Sequence, residues 1–269
     1  MPDCIDIFAL ADACISATTI DEKLTRSEHA VARIAQSEFA TESAVPPRAV
    51  AQPGRPAKPT LVEPRQLPQR GLGSAEGRTA LVHAVAHIEF NAIDLAWDAV
   101  YRFRGMPVEY YRDWVAVAAD ETRHFRMLQT RLAEFGRGYG DFDAHNGLWE
   151  MAVKTADSCL ERMALVPRVL EARGLDVTPG MIARLRQCSD DATADILEVI
   201  LREEVAHVAA GSRWFTWCCA RDGVDAEAAF ARLIAAHAGA LKPPFNETAR
   251  RAAGFSTAEL ERLTARTAA

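Results

Sequence analysis

The sequence lacks long hydrophobic runs, an excess of basic charge and paired cysteines. No stretch approaches the roughly 18 uninterrupted apolar residues of a membrane-spanning helix, so such a helix is excluded. The formal net charge is −6 at pH 7, which argues against a general nucleic-acid-binding protein. The six cysteines form no Cys-x-x-Cys pair and no zinc-type spacing, so we expect buried hydrophobes or surface thiols.

Basic residues are also missing from the N-terminus, where a secretory signal peptide carries them. Residues 1–8 contain two aspartates instead, and we therefore expect a cytoplasmic protein. The composition, 49% hydrophobic and 25% charged over 269 residues, is that of a globular protein. The length allows one large domain or two small ones, and a single four-helix core with extensions fits best.

Proline is concentrated in one segment, since residues 45–73 hold seven of the chain's thirteen prolines. This composition favours an extended, polyproline-like arm over a helix or a strand. The arm also has five basic residues and one acidic residue: Arg48, Arg55, Lys58, Arg65 and Arg70 against Glu63. Two interpretations stay open, namely contact with phosphate or RNA, and a strap that lies along the helices.

A short pattern occurs twice in the chain. Glu121 lies three residues before His124, and Glu204 lies three residues before His207. Three residues turn a helix by about 300°, so each Glu and its His share one face, a turn apart. The other residues on these two faces are mostly apolar, so a carboxylate and an imidazole lie in the stripe that faces the core. Buried carboxylates need cations beside them, and the pattern therefore indicates a metal site.

Each pair has a matching carboxylate upstream. Glu89 precedes Glu121 by 32 residues, and Glu171 precedes Glu204 by 33. The midpoint of the first interval falls in the Gly-Met-Pro of residues 105–107, a helix stop followed by a helix start. The second midpoint lies just before the Ser-Asp-Asp of residues 189–191, which is typical of a helix N-cap. If each helix pair folds back at its midpoint, it delivers three ligands at one level.

Two helices with one Glu each, and two with Glu-x-x-His, resemble the metal site of ferritin-like four-helix bundles. Three segments, HIEFNAI at 87–93, RMALVPRVLEARGLDVTP at 162–179 and HVAAGSRWF at 207–215, are similar to an uncharacterised bacterial family within that superfamily. This family is known as domain of unknown function 455, and the likeness covers roughly residues 50–260. The resemblance implies an all-α fold, a ferritin-like four-helix bundle with a Pro-rich N-terminal arm and extra terminal helices.

The resemblance also implies a dinuclear metal centre. Its six ligands would be two bridging carboxylates (Glu121 and Glu204), two terminal carboxylates (Glu89 and Glu171) and one nitrogen each from His124 and His207. Oxygen and imidazole ligands without thiolates suit two Fe ions, with Mn as the other option.

Three functions are compatible with such a centre. The first is an O2-activating oxidase or monooxygenase that acts on an unknown organic substrate or nucleic-acid base and takes electrons from a donor. The sequence Glu-Ala-Arg at residues 171–173 resembles the tRNA-hydroxylase branch of the superfamily, although weakly. The second function is a ferroxidase or iron-handling role. In the third, the metals only stabilise a non-catalytic bundle.

The sequence divides into four predicted parts. Residues 1–44 form an N-terminal helical segment, and residues 45–73 form the Pro-rich extended arm. The four-helix bundle occupies residues 74–221, with helices expected at about 74–104, 107–135, 148 onward and 190–220. Residues 222–269 form a C-terminal helical extension that covers the outside of the bundle.

The third bundle helix is the least regular part of the pattern. Pro167 lies inside it and Gly174 follows soon after, so we expect a kink or break beside the proposed site. If the chain turned back at Gly174, Glu161 would replace Glu171 as the ligand. The apolar stripe that contains Glu171 and its 33-residue spacing to Glu204 favour Glu171.

Two histidines of the first bundle helix are candidates for additional ligands. His83 and His87 point about 120° and 200° away from Glu89, so we expect structural roles, with hydrogen bonds to the basic arm. The glycine-rich crossover at residues 136–149 joins the two helix pairs, and it is either a lid or an ordinary packed loop.

Other residues near the pattern also have two interpretations. Asp120 and Glu203 each precede a proposed ligand and are rotated by 100° from it, so they are expected to be solvated or to hold Arg123 and Arg202 rather than to bind metal. Gly211 lies on the ligand face, where its missing side chain either leaves a pocket or permits close packing.

Overall fold

Helices form the regular structure of this protein. The computed structural model describes residues 4–238 and 241–265, and in this part of the chain no β-strand occurs beyond two isolated bridges. In chain order the helices are α1 (Ile7–Ile15), α2 (Ile20–Ala35), α3 (Ala75–Arg102), α4 (Val108–Glu134), α5 (Gly147–Lys154), α6 (Cys159–Leu165), α7 (Ala172–Gln187), α8 (Asp191–Asp222), α9 (Ala226–Leu233), α10 (Glu247–Ala252) and α11 (Thr257–Ala265). The expected all-α class is confirmed. None of the described helices combines the length and the hydropathy needed to cross a membrane.

The chain forms two compact units, of which the first ends at Val153 and the second begins at Lys154. In the first unit, α3 and α4 form a long antiparallel hairpin, α1 packs on α3, and α2 packs on α4. In the second unit, α8 is the central helix, and α6, α7, α9 and α10 pack against it.

The bounds of α3 and α4 follow from residues at their ends. The Ser74 side chain accepts a hydrogen bond from the Gly77 backbone N–H and caps α3. Gly105 has a φ of +67°, a conformation that glycine adopts without strain, and it reverses the chain between the two helices. Gly136, with a φ of +69°, follows α4 and stops it. The predicted ranges of 74–104 and 107–135 agree with the structure within two residues.

The N-terminal helices are fixed to α3 by a buried ion pair. Lys23 of α2 and Asp94 of α3 are 0% and 1% exposed, and the ammonium group also donates to the Cys14 carbonyl oxygen at 3.2 Å. Burial raises the pKa of Asp94 to about 7, while Lys23 opposes the rise. Breaking one partner of such a pair leaves an uncompensated buried charge, so the pair makes α2 an integral part of the first unit.

The Pro-rich arm is tied down along the first unit. Its Gly54 N–H donates to the Ile15 carbonyl at the end of α1, and its Val62 N–H donates to the Ala144 carbonyl in the crossover. The Arg48 guanidinium contacts the Asp12 carboxylate at 2.7 Å. These contacts give the arm the strap arrangement, because its backbone and a basic side chain bond to the helices and the crossover.

The third bundle helix differs from the prediction in where it is interrupted. Residues 155–158 separate α5 from α6, and a π-helical segment, Val166–Glu171, joins α6 to α7. The expected distortion beside the proposed site is present at Pro167. The chain does not turn back at Gly174, the condition under which Glu161 would replace Glu171, because α7 continues through Gly174 and Pro179 to Gln187. Pro179 lies in an exposed part of α7, and its ring removes one backbone N–H from the helix.

The turn between α7 and α8 lies where the midpoint argument placed it. Ser189 adopts a φ of +57°, and the Asp190 side chain accepts a hydrogen bond from the Thr193 N–H at 3.2 Å and caps α8. Gly223, with a φ of +66°, closes the other end of α8. The second hairpin is thus bounded by residues that act locally.

The C-terminal helices are fixed to the second unit by two buried ion pairs. Arg250 of α10 contacts Asp176 of α7 at 2.7 Å, and the two side chains are 1% and 0% exposed. Glu259 of α11 contacts Arg168 of the π-helical segment at 2.8 Å. A capping box opens α11, since Glu259 N–H donates to Ser256 Oγ and Ser256 N–H donates to Glu259 Oε2.

Candidate metal centre

The first unit contains a buried cluster of two carboxylates and one imidazole. Glu89 of α3 and Glu121 and His124 of α4 are 3%, 1% and 0% exposed. His124 Nδ1 lies 3.1 Å from Glu89 Oε2 and 3.4 Å from Glu121 Oε2. One ligand atom from each residue lies within 4.8 Å of the others, a spacing that can hold a metal ion.

The negative charge of this cluster is partly offset by a proton on His124. Burial alone would lower the pKa of His124, but hydrogen bonds and attraction from Glu121 and Glu89 raise it to about 11. The imidazole is therefore held as a cation between two carboxylates. A bound divalent ion would replace this positive charge and would need the imidazole in its neutral form.

The acid beside each Glu-x-x-His pattern is engaged by an arginine. Asp120 contacts Arg123 at 2.8 Å on the surface of α4, and Glu203 contacts Arg202 at 3.7 Å on α8. The prediction that these acids hold the neighbouring arginines is confirmed. Both therefore provide control positions adjacent to the proposed ligands.

The crossover packs directly on α3 and α4. The Tyr139 hydroxyl lies 2.8 Å from His87 Nδ1, and its ring centroid lies 5.1 Å from those of Phe90 and Phe125. His87 Nε2 donates to the His145 carbonyl oxygen at 3.0 Å. The expected bond of the histidines to the basic arm is thus wrong for His87, whose side-chain partners are Tyr139 and His145 of the crossover and Asn91 of α3. Of the two interpretations left open, the structure has the packed loop.

His83 provides a test of acid stability. Burial lowers its pKa to about 4, although Asp141 and Asp143 oppose the shift, and its Nε2 accepts a hydrogen bond from the Gly140 N–H at 2.9 Å. A histidine pKa that is depressed on folding contributes stability above pH 6.5, and this stability is lost as the pH falls toward 4. His83→Gln keeps an acceptor without titrating. We expect the variant to lose about 2 kcal/mol less stability than wild type between these pH values, after allowance for solvent screening.

Urea unfolding at pH 7 and at pH 4 measures this difference. His29→Gln, at an exposed position of α2, is the control and should follow the wild-type pH dependence. Equal losses of stability in wild type and in His83→Gln would show that His83 is not neutral in the folded protein.

The second unit carries the other Glu-x-x-His pattern on α8. His207 Nδ1 lies 3.4 Å from Glu204 Oε1, and their side chains are 2% and 12% exposed. The pair therefore occupies one face of α8, one turn apart, as the spacing requires. Considered within the second unit, this face of α8 is more exposed to solvent than the buried cluster of the first unit.

Glu171 is the last residue of the π-helical segment and is half-buried. The register of the second hairpin follows from one contact, because the Pro167 ring packs against Gly211 of α8. In an antiparallel helix pair, the residue four positions closer to the turn than Pro167 lies level with the residue four positions closer to the turn than Gly211. Glu171 is therefore level with His207. Glu161, the alternative ligand, lies in the first turn of α6, about ten residues farther from the turn.

Gly211 is required by packing rather than by a pocket. A Cβ atom at this position would lie 2.3 Å from Pro167 Cγ, so the proline ring fills the space that a side chain would need. We expect Gly211→Ala to lower the free energy of unfolding by about 1 to 3 kcal/mol through overpacking. Gly180→Ala is a matched control in α7, because a Cβ there meets no atom within 4 Å. It should stabilise the protein by up to about 1 kcal/mol. Two substitutions of the same sign would contradict the packing argument.

Sequence reasoning missed the buried ions that support the helices around these patterns. Asp94, Arg168, Asp176 and Arg250 each lie at 4% exposure or less. Their partners are distant in the chain, between 71 and 91 residues away. The one available signal was a charged residue inside an apolar run, as at Arg168 in Leu-Val-Pro-Arg-Val-Leu.

Comparison with known proteins identifies the family. A family model described as "Protein of unknown function (DUF455)" matches residues 16–261. The chain belongs to the DUF455 family. An uncharacterized protein of Haemophilus influenzae is 44% identical over 214 residues, which cover 77% of this chain and 74% of that protein. No solved structure matches the chain. The DUF455 match includes both Glu-x-x-His patterns and the π-helical segment.

Proposed function

We propose that this chain is a ferritin-like dinuclear metal protein that activates O2 in order to oxidise an organic substrate. The buried cluster of Glu89, Glu121 and His124 carries this proposal. Two carboxylates and an imidazole are placed together in the core of the first unit, where isolated charges are costly. Without a metal ion, the charges of these buried groups would be only partly compensated, at a cost in folding free energy.

We further propose that the second hairpin supplies the other half of the same centre. Glu171, Glu204 and His207 repeat the residue types and spacing of the first hairpin, and Glu171 is level with His207 in the register set by Pro167. The six residues would hold two ions, with Glu121 and Glu204 as bridging ligands. Four carboxylates nearly balance the charge of two divalent ions.

The donor set favours iron. Carboxylate oxygens and imidazole nitrogens without thiolates suit Fe(II) or Mn(II) better than structural zinc. If bound by these residues, a pair of Fe(II) ions would supply electrons for O2 reduction, chemistry that no protein side chain provides. An external electron donor would restore the reduced state between turnovers.

The chain's own residues would prepare the centre in two ways. Phe90 and Phe125, each next to a proposed ligand in sequence, pack together at 5.1 Å and help to exclude water from the first hairpin. His124 carries a proton that offsets one of the two carboxylate charges in the metal-free cluster and would release it when metal binds. The substrate enters this proposal only as an oxidisable organic molecule.

Oxygen uptake by the reduced, iron-loaded protein tests the proposal. The protein is loaded with Fe(II) without oxygen and mixed with air-saturated buffer, and O2 consumption is followed with an electrode. We expect wild type to consume O2 and the Glu121→Gln variant to consume none above the rate of free Fe(II). Equal, background rates in both proteins would refute an O2-activating centre.

The same assay distinguishes iron handling from substrate oxidation. A ferroxidase continues to oxidise excess Fe(II) well beyond the bound ions and deposits ferric mineral. An oxidase or monooxygenase stops after the bound ions are oxidised, until an electron donor and a substrate are added. A protein that binds two ions and takes up no O2 would have a metal-stabilised, non-catalytic bundle.

A further inference from the structure

The segment that presents Glu171 is held in an unusual backbone conformation. A π-helix has poorer hydrogen-bond geometry than an α-helix and occurs mostly as single turns, so it persists only where its surroundings support it. Pro167 contributes by removing a backbone N–H that an α-helix would use, and Gly211 leaves room for its ring.

Arg168 of this segment makes several specific side-chain contacts. Its side chain is 2% exposed, and Nη2 donates to both carboxylate oxygens of Glu259, at 2.8 and 2.9 Å. Nε lies 3.2 Å from Ser212 Oγ on α8. A bidentate, buried contact of this kind fixes the orientation of the guanidinium plane as well as its position.

Aromatic rings enclose the same guanidinium group. Its Cζ atom lies 4.0 Å from the ring centroid of Phe230, 4.5 Å from Phe255 and 4.8 Å from Phe215. Phe215 belongs to α8, Phe230 to α9 and Phe255 to the short segment before α11. Three parts of the second unit therefore converge on one side chain. The planar, delocalised charge of arginine suits this stacked position, whereas the ammonium of lysine does not.

We propose that the Arg168–Glu259 pair is a positioning device that holds the π-helical segment and thereby directs Glu171 toward the metal centre. This inference rests on the proposed function, because it assigns Glu171 as a ligand. Glu171 is three residues after Arg168 in the same segment. If the segment relaxed to an α-helix, one residue of register would be lost and the direction of Glu171 would change by about 100°.

The C-terminal extension thus has a role beyond covering the fold. Glu259 also caps α11 through Ser256, so one carboxylate connects the start of α11 to the ligand-bearing segment. A glutamine at this position preserves the capping box and removes the charge. Glu259→Gln therefore separates the local role of this side chain from its contact with Arg168.

Cobalt(II) titration of the full-length, metal-free protein tests the inference, with visible absorption as the readout. Wild type should bind two Co(II) ions, and Glu171→Ala should bind one of them weakly. We expect Glu259→Gln to weaken that same ion by about 10- to 100-fold and to change its spectrum. Glu227→Gln is the control, because Glu227 contacts Arg262 and Ser256 but not the π-helical segment.

Two further measurements distinguish a local effect on the π-helical segment from a global loss of folding. Amide hydrogen exchange of the metal-free protein at residues 166–175 should be faster in Glu259→Gln than in Glu227→Gln. The double variant Arg168→Met with Glu259→Met removes both buried charges, so it should remain folded, and it should lose the same Co(II) ion. Wild-type affinity, spectrum and exchange in these variants would overturn the inference.

The failures of the two proposals are distinguishable. Wild-type protein that binds no Co(II) would overturn the proposed function and, with it, the assignment of Glu171. Wild-type protein that binds two ions, together with Glu259→Gln that binds them equally well, would overturn the positioning role alone.

Discussion

Replacing Glu121 and Glu204 together with glutamine is expected to abolish metal binding. These are the proposed bridging ligands, and each shares a helix face with its histidine. Glutamine keeps the size of the side chain and removes the negative charge that attracts a divalent ion. The metal affinity should fall by more than about 100-fold, the upper range for the loss of a partner outside the ligand set. Metal analysis of the purified proteins after loading with Fe(II) or Mn(II) measures the change.

The adjacent acids provide a control with the same net charge. Asp120→Asn together with Glu203→Gln also removes two carboxylates, but these contact Arg123 and Arg202. This variant should retain two ions per chain. If both double variants lose metal equally, general charge rather than the ligand pattern governs binding. If both retain it, the proposed centre is in the wrong place.

Replacing Arg250 with methionine is expected to lower the free energy of unfolding by about 3 kcal/mol. Arg250 donates to both carboxylate oxygens of Asp176, at 2.7 and 2.9 Å, and both side chains are buried. The variant leaves the Asp176 carboxylate in the interior without its main cation. The Asn246 N–H still donates to Asp176 at 2.9 Å, so we expect the lower end of the range for a broken buried pair.

Urea unfolding measures this effect against two controls. Arg251→Met changes a neighbouring exposed residue, 4.0 Å from Glu247, and should shift stability by no more than about 0.5 kcal/mol. Asp176→Asn in the Arg250→Met background removes the remaining charge and should recover part of the loss. A loss below about 1 kcal/mol in Arg250→Met would show that water reaches the pair.

Local signals in the sequence predicted most helix ends. Ser74, Gly105 and Gly136 act within a few residues of themselves, through a side-chain cap or a positive φ, so their effects can be read without tertiary information. The same holds for Asp190 and Gly223 at the ends of α8. These positions place α3, α4 and α8, the helices that carry five of the six proposed ligands.

The interruptions of the third bundle helix were harder to predict. Gly174 and Pro179 are helix breakers by propensity, yet α7 runs through both because its packing on α8 outweighs their local cost. Pro167 indicated a distortion, but its π-helical form depends on Gly211 and Arg168, whose contacts are set by the tertiary fold. Local sequence gives the position of such a defect and not its geometry.

The candidate centre likewise has features that local sequence predicts and features that depend on the tertiary fold. Helical spacing alone places Glu121 and His124 on one face, and the midpoint argument brings Glu89 level with them, as their contacts show. The aromatic enclosure of Arg168 and its pairing with Glu259 lie beyond any periodicity argument, because their partners are up to 91 residues away. A residue that positions a ligand through contacts with distant residues need not follow the helical spacing of the ligands, so spacing does not reveal it.

The prolines of the strap have a consequence for its conformational entropy. A proline ring restricts φ in the unfolded chain as well as in the folded one, so the unfolded arm has fewer conformations to lose. A small number of backbone hydrogen bonds, such as those of Gly54 and Val62, is then sufficient to hold residues 45–73 without a helix or a strand. A glycine- and serine-rich segment of equal length would lose more conformational entropy on making the same contacts, so the same contacts would hold it less firmly.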